Sequence, residues 1–369
     1  MKSVFADKNQ QVVAVAMSGG VDSSVAAALL KQQGHTVKGL TMRLWEGPLP
    51  QPHSCCFSET VRSAQGVCEK LGIRHYIIDL RQEFEREVVV NFVEEYLRGR
   101  TPNPCVLCNA RIKWGELLQV AMSLGATQLA TGHYARLAFS AESGRFVLRK
   151  GLDSHKDQSY ALWGLTQERL ARTLFPLGEM RKKEVRRLAA LWGLPGADRP
   201  ESQEVCFVPE GHYGDFVNEW AGRVGKRVPP GQVVDREGTV LGEHRGYPFY
   251  TIGQRKGVGV AVGRPVYVVD IDPAQNRLQV GTAEELLSTG LEATPVNWIA
   301  VECPEAGRVV TAKIRYKDPG FAATVEYADK ERLVLRFMKP QRAVTPGQSV
   351  VLYDGEVVLG GGVVHARRK

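Results

Sequence analysis

Two groups of residues in this 369-residue chain are of types and spacings that could do chemistry. The first is Ser18-Gly19-Gly20-Val21-Asp22-Ser23-Ser24, which follows the apolar run Val12 to Met17 and opens a helical pattern. Two glycines let the backbone turn tightly and bring its N–H groups against an anion. A helix N-terminus adds partial positive charge, and the serine hydroxyls add donors. Asp22 could position a magnesium ion on bound phosphates. An ordinary strand-to-helix turn also uses Gly and Ser, but the full SGGVDSS in strand–loop–helix context selects phosphate binding. No Gly-Lys-Ser/Thr follows, so this is not a Walker A loop.

The second group is sulfur. Cys105 and Cys108 lie in Thr101-Pro102-Asn103-Pro104-Cys105-Val106-Leu107-Cys108-Asn109. Two prolines make a rigid, extended turn. Asn109 is the expected N-cap of the helix that follows. Cys108 would then sit at a helix N-terminus with Arg111 and Lys113 close in sequence, and both features would lower its pKa. Cys206 follows in Glu204-Val205-Cys206-Phe207. A thiolate pair could carry sulfur as a persulfide on one cysteine and resolve it with the other. Cys105, Cys108 and Cys206 together, with a fourth position open, could instead hold an iron–sulfur cluster, or zinc. The other cysteines read blandly. Cys55 and Cys56 are ordinary thiols, Cys68 falls on the core face of a helical pattern, and Cys303 sits in a β-rich stretch. Seven cysteines, an odd count in a long chain, argue against a disulfide framework.

The elements that must position these groups alternate along the first half. Strands are expected at 12–17, 37–42, 75–79 and 128–131, and helices at 24–33, 59–71, 83–97 and 112–124. This alternation implies an α/β fold with a Rossmann-like parallel sheet covered by helices. Ligands in such sheets sit at the carboxyl ends of the strands, so the loops after Met17, Met42 and Thr131 are the places to look. After residue 212 the texture changes to Gly, Pro and short valine runs. Short β-runs at 309–314, 322–325, 333–337 and 349–353, with a turn at Asp354-Gly355, read as a compact β-barrel. The expected division is a catalytic domain over 1–212, a small β-rich central domain over 213–289 and a C-terminal β-barrel over 290–369.

The nucleotide loop resembles the PP-loop of the ATP pyrophosphatases, which split ATP between its α- and β-phosphates and adenylate an oxygen. More of the chain narrows this. AMSGGVDSSV, GRTPNP followed by LCN, ATGHYAR, GLDSHKDQSY, LFPLGE, the Cys206 loop, TIGQRKG and TPGQSVVLYDGEVVLGGG occur in one order. Along nearly its whole length the chain resembles the bacterial tRNA-specific 2-thiouridylase family. The resemblance implies that Ala16, Met17, Ser18, Gly19, Gly20, Val21, Asp22, Ser23, Met42 and Gly132 hold ATP with Mg2+. It implies that the wobble uridine (position 34) of tRNA is adenylated at its 2-oxygen, that Cys206 carries the persulfide, and that Cys108 is the nucleophile, passing through a Cys108–Cys206 disulfide bond. Asn103, Pro104 and Cys105 would face the target base. His133, Lys156, Asp157, Gln158, Arg315, Tyr316 and Gln348 would contact tRNA. A cysteine desulfurase or sulfur-relay protein would supply the sulfur. Presenting the 2-oxygen implies a base flipped out of its stack. Many family members carry Asp where this chain has Cys105, which is why a [4Fe-4S] cluster on Cys105, Cys108 and Cys206 stands as the alternative carrier.

Composition agrees. The net charge of +8 and a pI of about 9.1 suit a polyanionic partner. The helical pattern Arg181 to Arg187 could touch phosphate, although a solvated face is the plainer reading. MKSVFADKNQQ lacks the apolar core of a secretory signal, and no apolar run is long enough for a membrane span, so a cytoplasmic protein is expected. Two other functions compete: another PP-loop ATP-dependent ligase of the amidating kind, which needs an ammonia source, and a non-enzymatic RNA-binding protein with a fossil loop.

Overall fold

Strand β1 (Val12–Ala16) is buried on both faces, as a short valine-rich run in the middle of a parallel sheet must be. The computed structural model describes residues 11–46, 56–195, 205–208 and 211–369. The amino-terminal segment, Cys55 and the stretch from Pro200 to Glu204 lie outside the described residues, as does the side chain of Cys56. From β1 the chain passes through α1 (Val21–Gln32), β2 (Thr36–Arg43), α2 (Cys56–Leu71), β3 (Arg74–Asp79), α3 (81–97), α4 (104–123) and β4 (Gln128–Ala130). With β7, added later, these strands form a parallel sheet in the order β3-β2-β1-β4-β7. Ala26, Ala27 and Ala28 are buried on α1, and their small side chains let the helix lie close to the sheet.

Helix α4 begins earlier than the sequence suggested. Asn103, not Asn109, is the N-cap: its side-chain oxygen accepts the Val106 N–H at 3.4 Å, and Pro104 takes the first helical position. Pro at that position loses no hydrogen bond, so the cap and the proline together set the start. The helix then runs without a break through a π-helical stretch, Cys108–Leu117. Asn109 is buried inside it.

After β4 a hairpin, β5 (Ala135–Ser140) and β6 (Arg145–Lys150), leaves the parallel sheet. The chain continues through a 3-10 turn (Ser159–Leu162), α5 (Gln167–Ala171), β7 (Thr173–Leu174), α6 (Lys182–Leu191) and α7 (Tyr213–Arg223). Strands β8 (Gly231–Val234), β9 (Val240–His244), β10 (Tyr267–Asp272) and β11 (Arg277–Gly281) form a small sheet in the order β10-β11-β8-β9. Strands β12 (Leu287–Trp298), β13 (Val309–Lys313), β14 (Phe321–Ala328), β15 (Leu333–Arg342), β16 (Ser349–Asp354) and β17 (Val357–Arg368) close into a barrel, because β12 pairs with both β15 and β17. Closure leaves no free edge among the six. β6 adds to the outside of β17 through Val357 and Arg149.

The barrel wall is packed into the core of the parallel-sheet unit. One cluster of buried residues joins Leu40, Phe84, Trp114, Tyr160 and Trp163 to Ile299, Val351, Tyr353 and Val358. Polar contacts fix its register. Tyr160 donates to the Ser349 carbonyl at 2.8 Å, and the Trp163 indole N–H to the Ser349 hydroxyl at 3.0 Å. Asn297 donates to the carbonyls of Trp163 and Leu165 at 2.7 and 2.9 Å. Gly361 has to be glycine here, since a Cβ would stand 2.9 Å from the Trp163 ring and 2.6 Å from the Val350 carbonyl. Among the described residues no helix is long and apolar enough to cross a membrane.

Truncating this shared core should destabilise both units at once. Trp163→Ala is expected to cost about 3–5 kcal/mol, the range for emptying a large aromatic site. Thermal unfolding followed by tryptophan fluorescence and by circular dichroism should shift together. A barrel transition left at the wild-type temperature would contradict the shared core.

Candidate active site

The loop after β1 has the features of an anion cradle. Gly19 has φ +68°, and a Cβ there would lie 2.7 Å from the Thr60 carbonyl. Only glycine fits both the conformation and the space. Ser18 N–H donates to the Ser23 hydroxyl at 3.2 Å, and the hydroxyls of Ser23 and Ser24 donate to the Gly20 carbonyl at 3.1 and 2.9 Å. Ser63 from α2 donates to the Gly19 carbonyl at 2.9 Å. The loop is therefore held through its carbonyls. The N-cap of α1 is Gly20, whose lack of a side chain leaves no capping acceptor for the first-turn N–H groups. Those donors suit phosphate oxygens. Ala16 and Met17 end β1, and the Met17 N–H donates to the Leu40 carbonyl at 2.8 Å. Met42 stands at the carboxyl end of the neighbouring β2, on the same side of the sheet.

Gly132, just past β4, completes the crevice from the other side. A Cβ on it would lie 2.8 Å from both the Asp22 carbonyl carbon and the Ser23 nitrogen. Two side chains hold the Asp22 carboxylate directly. Tyr134 donates its hydroxyl to Asp22 Oδ1 at 2.7 Å. Lys182, the first residue of α6, spans both carboxylate oxygens at 2.8 and 2.7 Å. Its side chain is only 9% exposed, so it is not part of a solvated basic face. The sequence reading grouped Lys182 with its charged neighbours and missed this. α6 turns Lys182 inward because the Lys182 N–H is fixed by Asp153 Oδ2 at 2.9 Å and Val185 and Ala189 bury the same side. A signal was present in the sequence: Lys182, Val185 and Ala189 follow helical spacing. Tyr134 belongs to the ATGHYAR segment without having been given a role.

The thiols lie on α4 and on the short described segment 205–208. Asn109 anchors this region: its amide donates to the Ala161 carbonyl at 2.9 Å, and its oxygen accepts from Lys113 Nζ at 2.8 Å. Lys113 thereby stands within electrostatic reach of Cys105, Cys108, Cys206 and His133. Cys206 is within electrostatic reach of both other thiols. The expectation of depressed thiol pKa values is overturned. Burial pushes the Cys108 thiol up to about 11 and the Cys206 thiol up to about 12, and raises Cys105 as well. Lys113 opposes this but does not win. Cys105 and Cys206 are open to solvent, yet they sit in a recess where surrounding protein replaces most of the water. The physical reason for the reversal is twofold: Cys108 lies a full turn inside α4 rather than at its end, and desolvation exceeds one lysine. Among the described residues, no three His, Cys, Asp or Glu side chains are arranged to hold a metal ion.

His133 links the two groups. It packs 5.6 Å from the Trp114 ring and 6.2 Å from Phe175, with Nδ1 2.7 Å from the Thr131 hydroxyl. Burial first, then Lys113, hold it well below its usual pKa, so it is neutral. The remaining candidates are dispersed. Asp157 accepts from the N–H groups of Gly151 and Ser159 and from the Ser159 hydroxyl. Gln158 accepts the Tyr134 N–H at 2.9 Å. Lys156 is half-buried beside them. Arg315 donates to the carbonyls of Arg342 and Ala343 at 3.0 and 2.6 Å, and Tyr316 is exposed at the barrel surface. Gln348 does something the sequence did not announce. Its amide donates to the carbonyls of Thr101 and Pro102 at 3.1 and 3.0 Å, on the turn that leads to Asn103, the buried Pro104 and Cys105. Asp157, Gln158 and Gln348 thus have structural partners of their own.

Comparison with known proteins accounts for all three parts of the chain. Residues 11–210 match the tRNA methyl transferase HUP domain, 215–282 the tRNA methyl transferase PRC-barrel domain, and 288–364 the aminomethyltransferase beta-barrel domain. The chain is 49% identical over 360 residues to the tRNA-specific 2-thiouridylase MnmA of Carboxydothermus hydrogenoformans, covering 96% of this chain and 98% of that protein. It is 50% identical over 356 residues to the protein of the same name from Moorella thermoacetica, covering 95% and 99%. A solved 4-thiouridine synthetase–RNA complex with bound ATP aligns over 53% of this chain and 45% of that one, at 17% identity and a TM-score of 0.36. At about half its residues over its near-entire length, the chain belongs to the tRNA-specific 2-thiouridylase family.

Proposed function

We propose that this chain replaces the 2-oxygen of the wobble uridine of tRNA with sulfur, at the expense of ATP. The observation that carries the reading is the shared crevice: Gly132 touches the nucleotide loop, while its neighbour His133 shares Lys113 with three cysteines. Such a crevice can hold an activated oxygen and a sulfur donor side by side. The uridine 2-oxygen attacks the α-phosphorus of ATP, and pyrophosphate leaves. The terminal sulfur of a Cys206 persulfide adds to C2. Cys108 then attacks Cys206 Sγ, breaking the S–S bond. The freed sulfur stays on C2, AMP departs, and a Cys108–Cys206 disulfide remains for a thiol reductant to reopen. The sulfur comes from a cysteine desulfurase or a sulfur-relay protein.

The residues divide by task. Ala16 through Ser23, Met42 and Gly132 hold ATP. A magnesium ion at Asp22 would share that carboxylate with Lys182 and Tyr134 or displace them. Lys182, buried beside the loop, supplies positive charge to the phosphates. Asn103, Pro104 and Cys105 face the base, and Lys156, Arg315 and Tyr316 suit tRNA phosphate and base contacts on the surface, with His133, Asp157, Gln158 and Gln348 shaping the walls behind them. The working division of the chain is 1–212, 213–289 and 290–369. A [4Fe-4S] cluster on Cys105, Cys108 and Cys206 is the second reading. The electrostatic proximity of the three thiols suggests it, but no metal-holding arrangement exists among the described residues, so no step is routed through one.

Three outcomes follow from these roles. Cys206→Ser should abolish 2-thiouridine formation from unmodified tRNA, ATP, magnesium and a sulfur donor, with ATP affinity unchanged. Nucleoside digestion reads the product, and wild-type protein that releases pyrophosphate without any thiolated nucleoside would sink the assignment. Stoichiometric iron and labile sulfide in anaerobically purified protein, needed for turnover, would move the carrier to the cluster. Lys182→Met should slow ATP-dependent pyrophosphate release by about 10²–10³-fold, the usual loss for one charge-stabilising donor. A rate near wild type would remove Lys182 from the site. Finally, the raised thiols must deprotonate to react. Alkylation of Cys108 and Cys206 by iodoacetamide, followed by peptide mass spectrometry, should rise about tenfold per pH unit from pH 7 to 10 with no plateau. A plateau below the ordinary thiol range would show that Lys113 outweighs burial.

A further inference from the structure

Beyond Thr251, which meets Thr101 at 3.3 Å, the segment Ile252-Gly253-Gln254-Arg255-Lys256-Gly257 and the loop as far as Val266 have been given no role. They fold around an open recess of about 460 Å3, lined by Arg255, Gly257, Gly259, Arg264 and Pro265 among others. Gly257, Gly259 and Gly263 have φ of +74°, +82° and +71°, so the loop depends on glycine to hold its shape. It is nonetheless pinned. Val258 is buried in the core of the small sheet, and Val260 crowds Gly242 so closely that a Cβ there would stand 3.0 Å away. The cations on its rim are therefore carried by a fixed backbone.

Arg255, Lys256 and Arg264 are exposed, and none of them forms an ion pair among the described residues. The positive row does not stop at the recess. Arg342 and Arg255 both act on Tyr267 and lower its pKa, and the Arg342 guanidinium lies 4.3 Å from that ring's centroid. Arg315 in turn donates to the Arg342 carbonyl. Arg315, Arg342, Arg255, Lys256 and Arg264 thus run as a row from the barrel onto the small sheet. Glu284 lies near the row, its pKa lowered first by Thr282 and last by Arg342.

We propose that this row and its recess form a second RNA-backbone site, which binds phosphodiesters of the tRNA away from the reacting nucleotide. The proposal rests on the reading of the substrate as tRNA. The chemistry favours backbone over base. Arginines match phosphate oxygens in a two-pronged geometry, whereas the recess walls of Gly, Val and Pro offer no ring for a base to stack on. An open, shallow shape also suits a strand lying across it better than a small molecule enclosed within it.

The test is a tRNA titration of the full chain with the Arg255→Ala/Arg264→Ala double variant. Binding of unmodified tRNA is measured by fluorescence anisotropy between about 50 and 200 mM salt, where each lost phosphate contact flattens the slope of log K against log salt by about 0.7–0.9. The expected result is weaker binding and a slope reduced by about 1.4–1.8, the sum for two contacts. Arg255→Lys/Arg264→Lys should restore most of the slope, which a damaged fold could not do. An unchanged affinity and slope in the alanine variant, with wild-type protein binding tRNA normally, would overturn the proposal and leave the proposed function standing. Wild-type protein that binds no tRNA would overturn the proposed function, and this site with it.

Discussion

The candidate site depends on one close approach. β1 lies at the centre of the parallel sheet, with β2 on one side and β4 on the other. The chain reverses its direction of winding there, and a crevice opens at the carboxyl ends of β1 and β4. Gly132 fills the space that any side chain would block, so the loop after β4 rests on the Asp22–Ser23 peptide. Everything else is a consequence of this contact. It brings Tyr134 within reach of Asp22, and α6 delivers Lys182 to the same carboxylate. One residue beyond Gly132, His133 packs on Trp114 of the thiol-bearing helix. Nucleotide loop and cysteines meet because a glycine lets two loops touch.

The barrel plays a part in this arrangement beyond its own stability. The turn before α4 is gripped from outside the parallel-sheet unit. The Thr101 N–H donates to the Pro346 carbonyl at 2.9 Å, the Thr101 hydroxyl meets that of Thr251 at 3.3 Å, and Gln348 holds the carbonyls of Thr101 and Pro102. Gly347, at φ +92°, leaves room for this: a Cβ would lie 2.7 Å from the Thr101 carbonyl. The start of the thiol-bearing helix is thus set jointly by all three parts of the chain. A glutamine that reads as an RNA contact in sequence is, in the fold, also a brace for Cys105 and Cys108.

The α/β character, the strand-loop-helix around SGGVDSS and the barrel were legible because each rests on local pattern. Valine runs, a glycine pair before a helix and alternating short strands need no tertiary knowledge. What stayed hidden was decided by distant partners. β12 and β17 carry Gly, Pro and Thr where alternation is expected, and Gly360 to Gly362 are dictated by Asn297, Trp163 and Val296 rather than by strand propensity. Asn109 was a sound cap by type, but Asn103 followed by Pro104 starts the helix six residues sooner. Lys182 looked like one charge among six because burial is a property of the fold, not of the residue.

The thiols make the same point about magnitude. Proximity to a helix start and to Lys113 argues for thiolate, but Cys108 lies a full turn inside the helix and only the lysine acts in that direction. Desolvation is larger here, and the balance leaves Cys108 and Cys206 as neutral thiols in the resting protein. That outcome suits the chemistry proposed. An adenylated base must be kept from water, or hydrolysis returns the uridine and wastes the ATP. The protein packed around the thiols raises them although Cys105 and Cys206 still reach solvent, so bound tRNA would have to complete the exclusion of water. A single cation fixed by Asn109, within reach of all three sulfurs, is the means by which this site can still favour a sulfur anion at the moment one is formed.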